Sequence, residues 1–441
     1  MEKYDLIVVG FGKAGKTLAK FAAQQGKKVA VVEKSAEMYG GTCINIGCIP
    51  SKVLVHDGIE AASFNDAMQR KRDVVSALNN KNYHNLADEE TVDVINMTAA
   101  FKSAHEIELF NTEGKSVQTI EGTHIVINTG AKSVIPNIKG VETSQRVYDS
   151  KGIMDLTTQP KRLVIVGAGY IALEFASIFA NFGTDVTVLE RSHQILKKED
   201  EAIAKQVTED LTQKGVKFVY NAKTEAIQDE ADVTKVVTSQ GEFEADAVLV
   251  ATGRKPNTEG LNLEAAGVKL GERGEVVVND KLQTSVEHIY AVGDVNGGLQ
   301  FTYISLDDFR IVKSQLFGDG QRTLEQRGAV PYTMFIDPPM SRVGMTAAEA
   351  REKGYDVLEN QVPVNTMPRH KINNDTRGLF KAVVDAKSGQ VLGATLYGQQ
   401  SEELINIVKL AMDQQLSYAV LRDNIYTHPT MAESFNDLFN V

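Results

Sequence analysis

Residues 8–33 recur, without a gap, as residues 165–190, at a constant offset: 167 − 10, 183 − 26 and 190 − 33 all equal 157. The first copy runs Val8-Val-Gly-Phe-Gly-Lys-Ala-Gly15 to Gly26-Lys-Lys-Val-Ala-Val-Val-Glu33. The second runs Ile165-Val-Gly-Ala-Gly-Tyr-Ile-Ala172 to Gly183-Thr-Asp-Val-Thr-Val-Leu-Glu190. Each reads as a β-branched strand, a glycine turn, an amphipathic helix and a second strand ending in an acid, which is a dinucleotide-binding βαβ unit. The spacing follows from the chemistry. The first glycine makes the turn, the second lets backbone approach a pyrophosphate at the helix N-terminus, and the third small residue lets helix and strand pack closely. Gly10, Gly12 and Gly15 take these places in one copy, and Gly167, Gly169 and Ala172 in the other. Glu33 and Glu190 stand where a carboxylate accepts hydrogen bonds from ribose hydroxyls and repels a 2′-phosphate, so NADH is expected over NADPH. Arg191 follows directly and softens that preference, although a solvated surface charge is the simpler reading of it.

Two more glycine turns, Ile127-Asn-Thr129-Gly130 and Val250-Ala-Thr-Gly253-Arg254, are expected to close the same two sites, and Ile289-Tyr-Ala-Val-Gly293-Asp294 carries a strand into a Gly-Asp turn suited to a sugar hydroxyl. Pro160 marks entry into a second domain and the glycine-rich run at 270–274 its exit. From about Ala329 strands precede helices, as in an α+β domain. The expected fold class is α/β, with two Rossmann-like domains and a C-terminal α+β domain. The expected divisions are 1–149, 150–269, 270–328 returning to the first domain, and 329–441.

The 441 residues are 42% apolar and carry a formal charge of −11. Without a basic run, that charge argues against nucleic acid or an anionic membrane as partner and favours small molecules. The chain starts directly on a strand, so no export signal is expected. Its longest apolar stretch, 163–182, contains Glu174 and a phosphate-binding turn, so no membrane span is expected. The only two cysteines lie five positions apart in Gly40-Gly-Thr42-Cys43-Ile-Asn-Ile-Gly-Cys48-Ile-Pro-Ser-Lys52. That is no secreted disulfide framework, and it points to local redox chemistry in a cytoplasmic protein. A C-x4-C spacing on a distorted helical turn can bring two sulfurs within bonding reach, with Gly41 and Gly47 relaxing the backbone. Metal binding is the rival, but two thiols fall short of the usual four ligands, and no metal site is expected.

With this motif beside the two glycine turns, the whole chain resembles the pyridine nucleotide-disulfide oxidoreductases, the family of glutathione reductase, dihydrolipoamide dehydrogenase and mercuric reductase. The resemblance implies FAD in the first unit, NADH (or NADPH) in the second, a C-terminal dimerisation domain, and a homodimer whose active site draws on both chains. It makes Cys43 the interchange thiol and Cys48 the thiol facing the flavin, with electrons passing from NADH through FAD to that pair. It pairs Lys52 with Glu174 beneath the flavin, gives Thr42, Thr129, Gly130, Gly253, Gly293 and Asp294 to cofactor binding, and makes Tyr170 a gate over the nicotinamide pocket. His428, in His428-Pro-Thr-Met-Ala-Glu433, becomes an acid/base acting across the dimer, oriented by Glu433.

No second cysteine pair lies near the C-terminus, so Cys43 is expected to meet its substrate directly. Residues 297–310, Gly-Gly-Leu-Gln-Phe-Thr-Tyr-Ile-Ser-Leu-Asp-Asp-Phe-Arg, depart from the dihydrolipoamide dehydrogenase type. With Phe11-Gly-Lys-Ala-Gly-Lys-Thr17, Asn82-Tyr-His-Asn-Leu86 and Asn406-Ile-Val-Lys409, they resemble the bacterial reactive-chlorine-resistance flavoproteins, including the hypothiocyanous acid reductases. The expected reaction is reduction of hypothiocyanous acid to thiocyanate. Dihydrolipoamide dehydrogenase, Cu(II) reductase and a non-enzymatic flavin redox sensor are the alternatives. Arg310 is a candidate for drawing in an anionic substrate, against the simpler reading of an Asp307–Arg310 pair one helical turn apart.

Overall fold

A computed structural model describes residues 1–441. The β-branched runs of the first unit build a sheet in the order Val92–Ile95, Val29–Val32, Glu2–Val9, Ser116–Ile127, Glu106–Phe110, Thr98–Phe101. Strand Glu2–Val9 runs parallel to both neighbours. Strand Ser116–Ile127 changes partner along its length. Its first half pairs antiparallel with Glu106–Phe110, and Ile125–Ile127 pair parallel with Ile289–Ala291. The strand leading to the Gly-Asp turn is thereby built into the first sheet.

The second unit forms a parallel sheet in the order Lys217–Val219, Asp185–Leu189, Arg162–Val166, Ala247–Val250, Val147–Tyr148. Its limits differ from those expected. The chain enters this sheet at Val147–Tyr148, before both 150 and Pro160, and leaves it after Ala247–Val250, well before 269. Strand Arg254–Pro256 already pairs with Ala131–Ser133, and Leu261, Leu263, Ala266 and Val268 join the core of the first sheet. The glycine-rich run at 270–274 is only a surface turn. The exit is the turn at Thr252-Gly253, because Ala247–Val250 is the last strand the second sheet can pair.

The C-terminal segment is an antiparallel sheet, Tyr332–Met334, Met340–Gly344, Val391–Tyr397, Leu379–Asp385, Val357–Pro363, packed against helix Ser401–Asp413 through Leu404, Ile405 and Val408. One core cluster joins three parts of the molecule. Leu54 and Phe64 follow the cysteines, Leu173, Phe175 and Phe179 come from the second unit, and Met334, Met340 and Tyr397 from the C-terminal sheet. Each such side chain stabilises the assembly by roughly 1.5–3 kcal/mol when fully buried, which fixes the cysteine helix against both other domains. No helix is long and apolar enough to cross a membrane.

Candidate active site

The cysteine segment folds as two short helices, Thr42–Asn45 and Cys48–Ile59, broken at Ile46-Gly47. Cys43 is half-buried, Cys48 is exposed at the first position of the longer helix, and both are free thiols. Gly41 has φ +78°, a left-handed conformation that costs glycine nothing. Gly47 has φ −134°, so its role is room rather than flexibility. A Cβ there would lie 2.9 Å from Thr42 O. Hydrogen bonding from Cys43, contact with Thr302, whose Oγ1 stands 3.6 Å from Cys48 Sγ, and the charge of Lys52 together pull the Cys48 thiol down to about 6. The start of a helix favours the same anion. Cys43 is pushed the other way, well above an ordinary thiol, by its bond to Cys48 and by burial. The reduced pair therefore keeps its charge on Cys48 and its proton on Cys43. Cys43 needs a base before it can attack.

Lys52 Nζ donates to Glu174 Oε2 at 2.8 Å and stands 4.6 Å from the centre of the Phe335 ring. The other Glu174 oxygen accepts from Phe335 N at 2.8 Å, tying the pair to the C-terminal domain. His428 Nδ1 and Glu433 Oε2 are 2.7 Å apart, and Glu433 also accepts from Thr430 N at 3.1 Å. The imidazole is exposed and makes no hydrogen bond to either cysteine of its own chain.

In the first glycine turn, Gly15 N donates to Asn128 Oδ1 at 2.9 Å and Ala14 N to Ser305 Oγ at 3.1 Å, while Asn128 Nδ2 donates to Val292 O at 2.8 Å. Glu33 is buried and accepts from Phe11 N at 3.0 Å and Ser35 N at 3.2 Å. Burial raises its pKa despite these bonds. In the second turn no side chain caps helix Tyr170–Asn181. Glu190 Oε1 accepts from Ser192 N and Oγ, leaving Oε2 free, and Arg191 makes no ion pair. Thr129 Oγ1 donates to Asn257 O, so that hydroxyl braces the fold. Asp294 accepts no side-chain hydrogen bond. Burial raises its pKa, only partly offset by Arg254 at 4.0 Å. A half-buried carboxylate lacking donors, beside a turn whose glycines leave no room for a side chain, fits a flavin dinucleotide carrying hydroxyls and a pyrophosphate. The uncapped second turn, with Gly253 open beside it, fits a nicotinamide dinucleotide.

Three groups here escaped sequence reasoning. Asn128 is central to the first turn, and the signal was its pairing with Ala251 when the turns at 127–130 and 250–253 are aligned. Thr302 touches Cys48 and lies within the 297–310 stretch, but nothing there marks it out from its neighbours. Lys16 lies near enough to Cys43 for its charge to act there. It donates to Asn82 Oδ1 and to Gly40 O at 3.4 Å. Burial and Lys13 bring its ammonium down to about 8. Lys13, Lys16 and Lys20 line one cleft of about 320 Å³ with Asn82 and Asn85, and Lys13 and Lys16 have no carboxylate partner. Arg310, by contrast, stands 3.7 Å from Asp307, and that acid is held mainly by Arg322 and Arg327.

The pyridine nucleotide-disulphide oxidoreductase family model matches residues 4–308, and the dimerisation-domain model of that family matches residues 330–439. The chain belongs to the pyridine nucleotide-disulphide oxidoreductases. Among its relatives, it is 49% identical over 441 residues to the probable pyridine nucleotide-disulfide oxidoreductase RclA of Escherichia coli strain K12, covering 100% of both chains. It is 36% identical to a mercuric reductase of Staphylococcus aureus, over 98% of this chain and 81% of that one. The solved Cu(II) complex of the HOCl-induced flavoprotein disulfide reductase RclA from Escherichia coli matches with a TM-score of 0.97 over 100% of this chain and 99% of that one. The chain is an enzyme, a flavoprotein disulfide reductase of the RclA type that uses FAD and NAD(P)H, and its dimerisation domain supports a homodimer.

Proposed function

We infer that the enzyme reduces hypothiocyanous acid to thiocyanate in the cytoplasm, with NADH as donor. The observation that carries this reading is the single dithiol, whose outer thiol, Cys43, follows closely after Gly40, whose carbonyl Lys16 of the lysine-lined cleft reaches at 3.4 Å. No further cysteine exists to relay electrons, so the oxidant has to be small enough to reach Cys43 itself, and an anionic form is drawn in by the lysines.

When bound, FAD supplies the two-electron link between NADH and the dithiol. The residues do the rest. Gly10, Gly12, Gly15, Glu33, Thr42, Thr129, Gly130, Gly293 and Asp294 would hold the flavin dinucleotide, and Gly167, Gly169, Tyr170, Ala172, Glu190, Arg191 and Gly253 the nicotinamide one. Lys52, kept in place by Glu174, would present positive charge to the flavin. The partner chain's copy of the His428–Glu433 pair removes the Cys43 proton. Cys43 sulfur then attacks the sulfur of HOSCN, forming Cys43–S–SCN as hydroxide leaves and takes up that proton as water. Cys48 thiolate displaces thiocyanate and closes the disulfide. The sum is Cys43–SH + Cys48–S⁻ + HOSCN → Cys43–S–S–Cys48 + SCN⁻ + H₂O. In this reading the chain from Arg254 to the start of the C-terminal segment completes the flavin domain.

Cu(II) is the second reading, because the Escherichia coli relative has been solved as a Cu(II) complex. NADH oxidation by the purified holoenzyme should be fast with hypothiocyanous acid and slow with lipoamide, glutathione disulfide and Cu(II). Rapid lipoamide turnover with none on hypothiocyanous acid overturns the assignment. Cys43→Ser should abolish turnover while NADH still bleaches the flavin.

A further inference from the structure

Glu199 has no part in the chemistry above, yet its side chain is 0% exposed. Burying a carboxylate is costly unless charge and donors meet it. Tyr332 hydroxyl donates to Glu199 Oε1 at 2.6 Å, and Tyr170 hydroxyl donates to the same oxygen. Arg342 Nη1 stands 3.4 Å from Oε2 and donates to Lys198 O at 2.7 Å, and Arg342 Nη2 pairs with Glu349. Glu199 and Tyr170 belong to the second unit, whereas Tyr332 and Arg342 sit on neighbouring strands of the C-terminal sheet. The Tyr170 and Tyr332 rings stack at 5.7 Å and 22°. The stack continues through Phe301, 6.4 Å from Tyr332, to Tyr303, and these two residues flank Thr302 beside Cys48.

We propose that Glu199 is a latch on Tyr170, a positioning residue that holds the gate ring closed and sets the cost of admitting the nicotinamide of NAD(P)H. The inference rests on Tyr170 being the gate. An entering nicotinamide has to displace the Tyr170 ring, and the bond resisting that movement is charge-assisted and shielded from water. The closed state is favoured, and the observed affinity is the intrinsic one reduced by the open fraction. Two hydroxyls donate to one oxygen, so each bond weakens the other. The second hydroxyl and the facing guanidinium come from the C-terminal domain, so the latch also ties the gate to that domain's docking.

The test titrates oxidised, FAD-loaded enzyme with NAD⁺, and separately with ADP-ribose, which lacks nicotinamide, by calorimetry. Glu199→Gln and Tyr170→Phe should each tighten NAD⁺ about five- to tenfold by raising the open fraction, leave ADP-ribose unchanged, and gain nothing more when combined. Tyr332→Phe, which removes the second donor and strengthens the bond to Tyr170, should weaken NAD⁺. Unchanged NAD⁺ affinity in Tyr170→Phe, additive gains, or a parallel shift in ADP-ribose overturns the latch. Should Glu199→Gln fail to retain FAD, the two tyrosine variants decide alone. Tyr170→Ala separates this idea from the one beneath it. Wild-type NAD⁺ binding there removes the gate, whereas altered binding there with none in Tyr170→Phe keeps the gate and removes the latch.

Discussion

In the first glycine turn a Cβ on Gly12 would lie 2.5 Å from Asn128 Oδ1, whereas in the second a Cβ on Gly169 would meet nothing within 4 Å. The backbone paths are the same. Gly10 and Gly167 have φ of +100° and +102°, and Gly12 and Gly169 are extended at −68° and −74°. The difference lies in what leans on each turn. Asn128, Ser305 and Val292 reach the first from segments remote in sequence, while Ala251 takes the place of Asn128 beside the second. A braced, enclosed turn suits a cofactor that stays. An open one suits a cofactor that enters and leaves every cycle.

The largest contrast is expected from placing one methyl in each turn. Gly12→Ala has to displace Asn128, which costs about 1–3 kcal/mol for overpacking and blocks the pyrophosphate, so the purified protein should lose most of its flavin absorbance. Gly169→Ala should keep its flavin and melting temperature and lose only nicotinamide affinity. Equal flavin content in the two variants would break the comparison. Next in size is Asn128→Ala, which leaves Gly15 N–H and Val292 C=O buried without partners, at about 1–3 kcal/mol each. Thermal unfolding should drop by several degrees, with flavin released early. Ala251→Asn in the second turn should move neither.

The braced half also carries two groups brought towards neutrality, Cys48 at about 6 and Lys16 at about 8. The Cys48 pKa is depressed, so its thiolate is present above about 6 and is lost as pH falls through that value. Alkylation of the reduced enzyme at Cys48 should therefore fall about tenfold per unit below the midpoint. Lys16 is cationic below about 8 and loses its charge above it, so KM for an anionic oxidant should rise as pH climbs through that range. Lys16→Met should remove that rise. A pH-independent KM in the wild type would dismiss Lys16 as an anion guide.

The repeat made both βαβ units legible, because the glycine spacing, the helix face and the terminal acid are local features of the chain. The cysteine motif made Cys43, Cys48 and Lys52 legible for the same reason. What stayed hidden depends on long-range packing. Asn128 matters through Gly15 and Val292, Thr302 through Cys48, and Glu199 through Tyr332 and Arg342, and no spacing along the chain encodes those meetings. The end of the second domain was misplaced because a conspicuous glycine-rich surface turn outweighed the plainer Thr252-Gly253, where strand pairing stops. Arg310 and Lys16 both lie in stretches that carry the resemblance, but Lys16, whose charge acts on Cys43, sits in helix Lys13–Gln24, where lysine reads as surface.

The smallest expected effect sharpens the open side. Arg191 is exposed and makes no hydrogen bond or ion pair, so Arg191→Ala should change stability by no more than about 0.5 kcal/mol. Its consequence should appear only in the choice of dinucleotide. Glu190 keeps one oxygen free for ribose hydroxyls and repels a 2′-phosphate, while Arg191 next to it attracts that phosphate. Removing the arginine should leave KM for NADH within about twofold and raise KM for NADPH by about threefold to tenfold, the worth of one exposed charge contact with phosphate. Glu190→Ala should act in the opposite sense, weakening NADH and relieving the repulsion of NADPH. If Arg191→Ala weakened both dinucleotides alike, the residue would be part of a common pyrophosphate grip, and the second turn would be less open than its bare glycines imply.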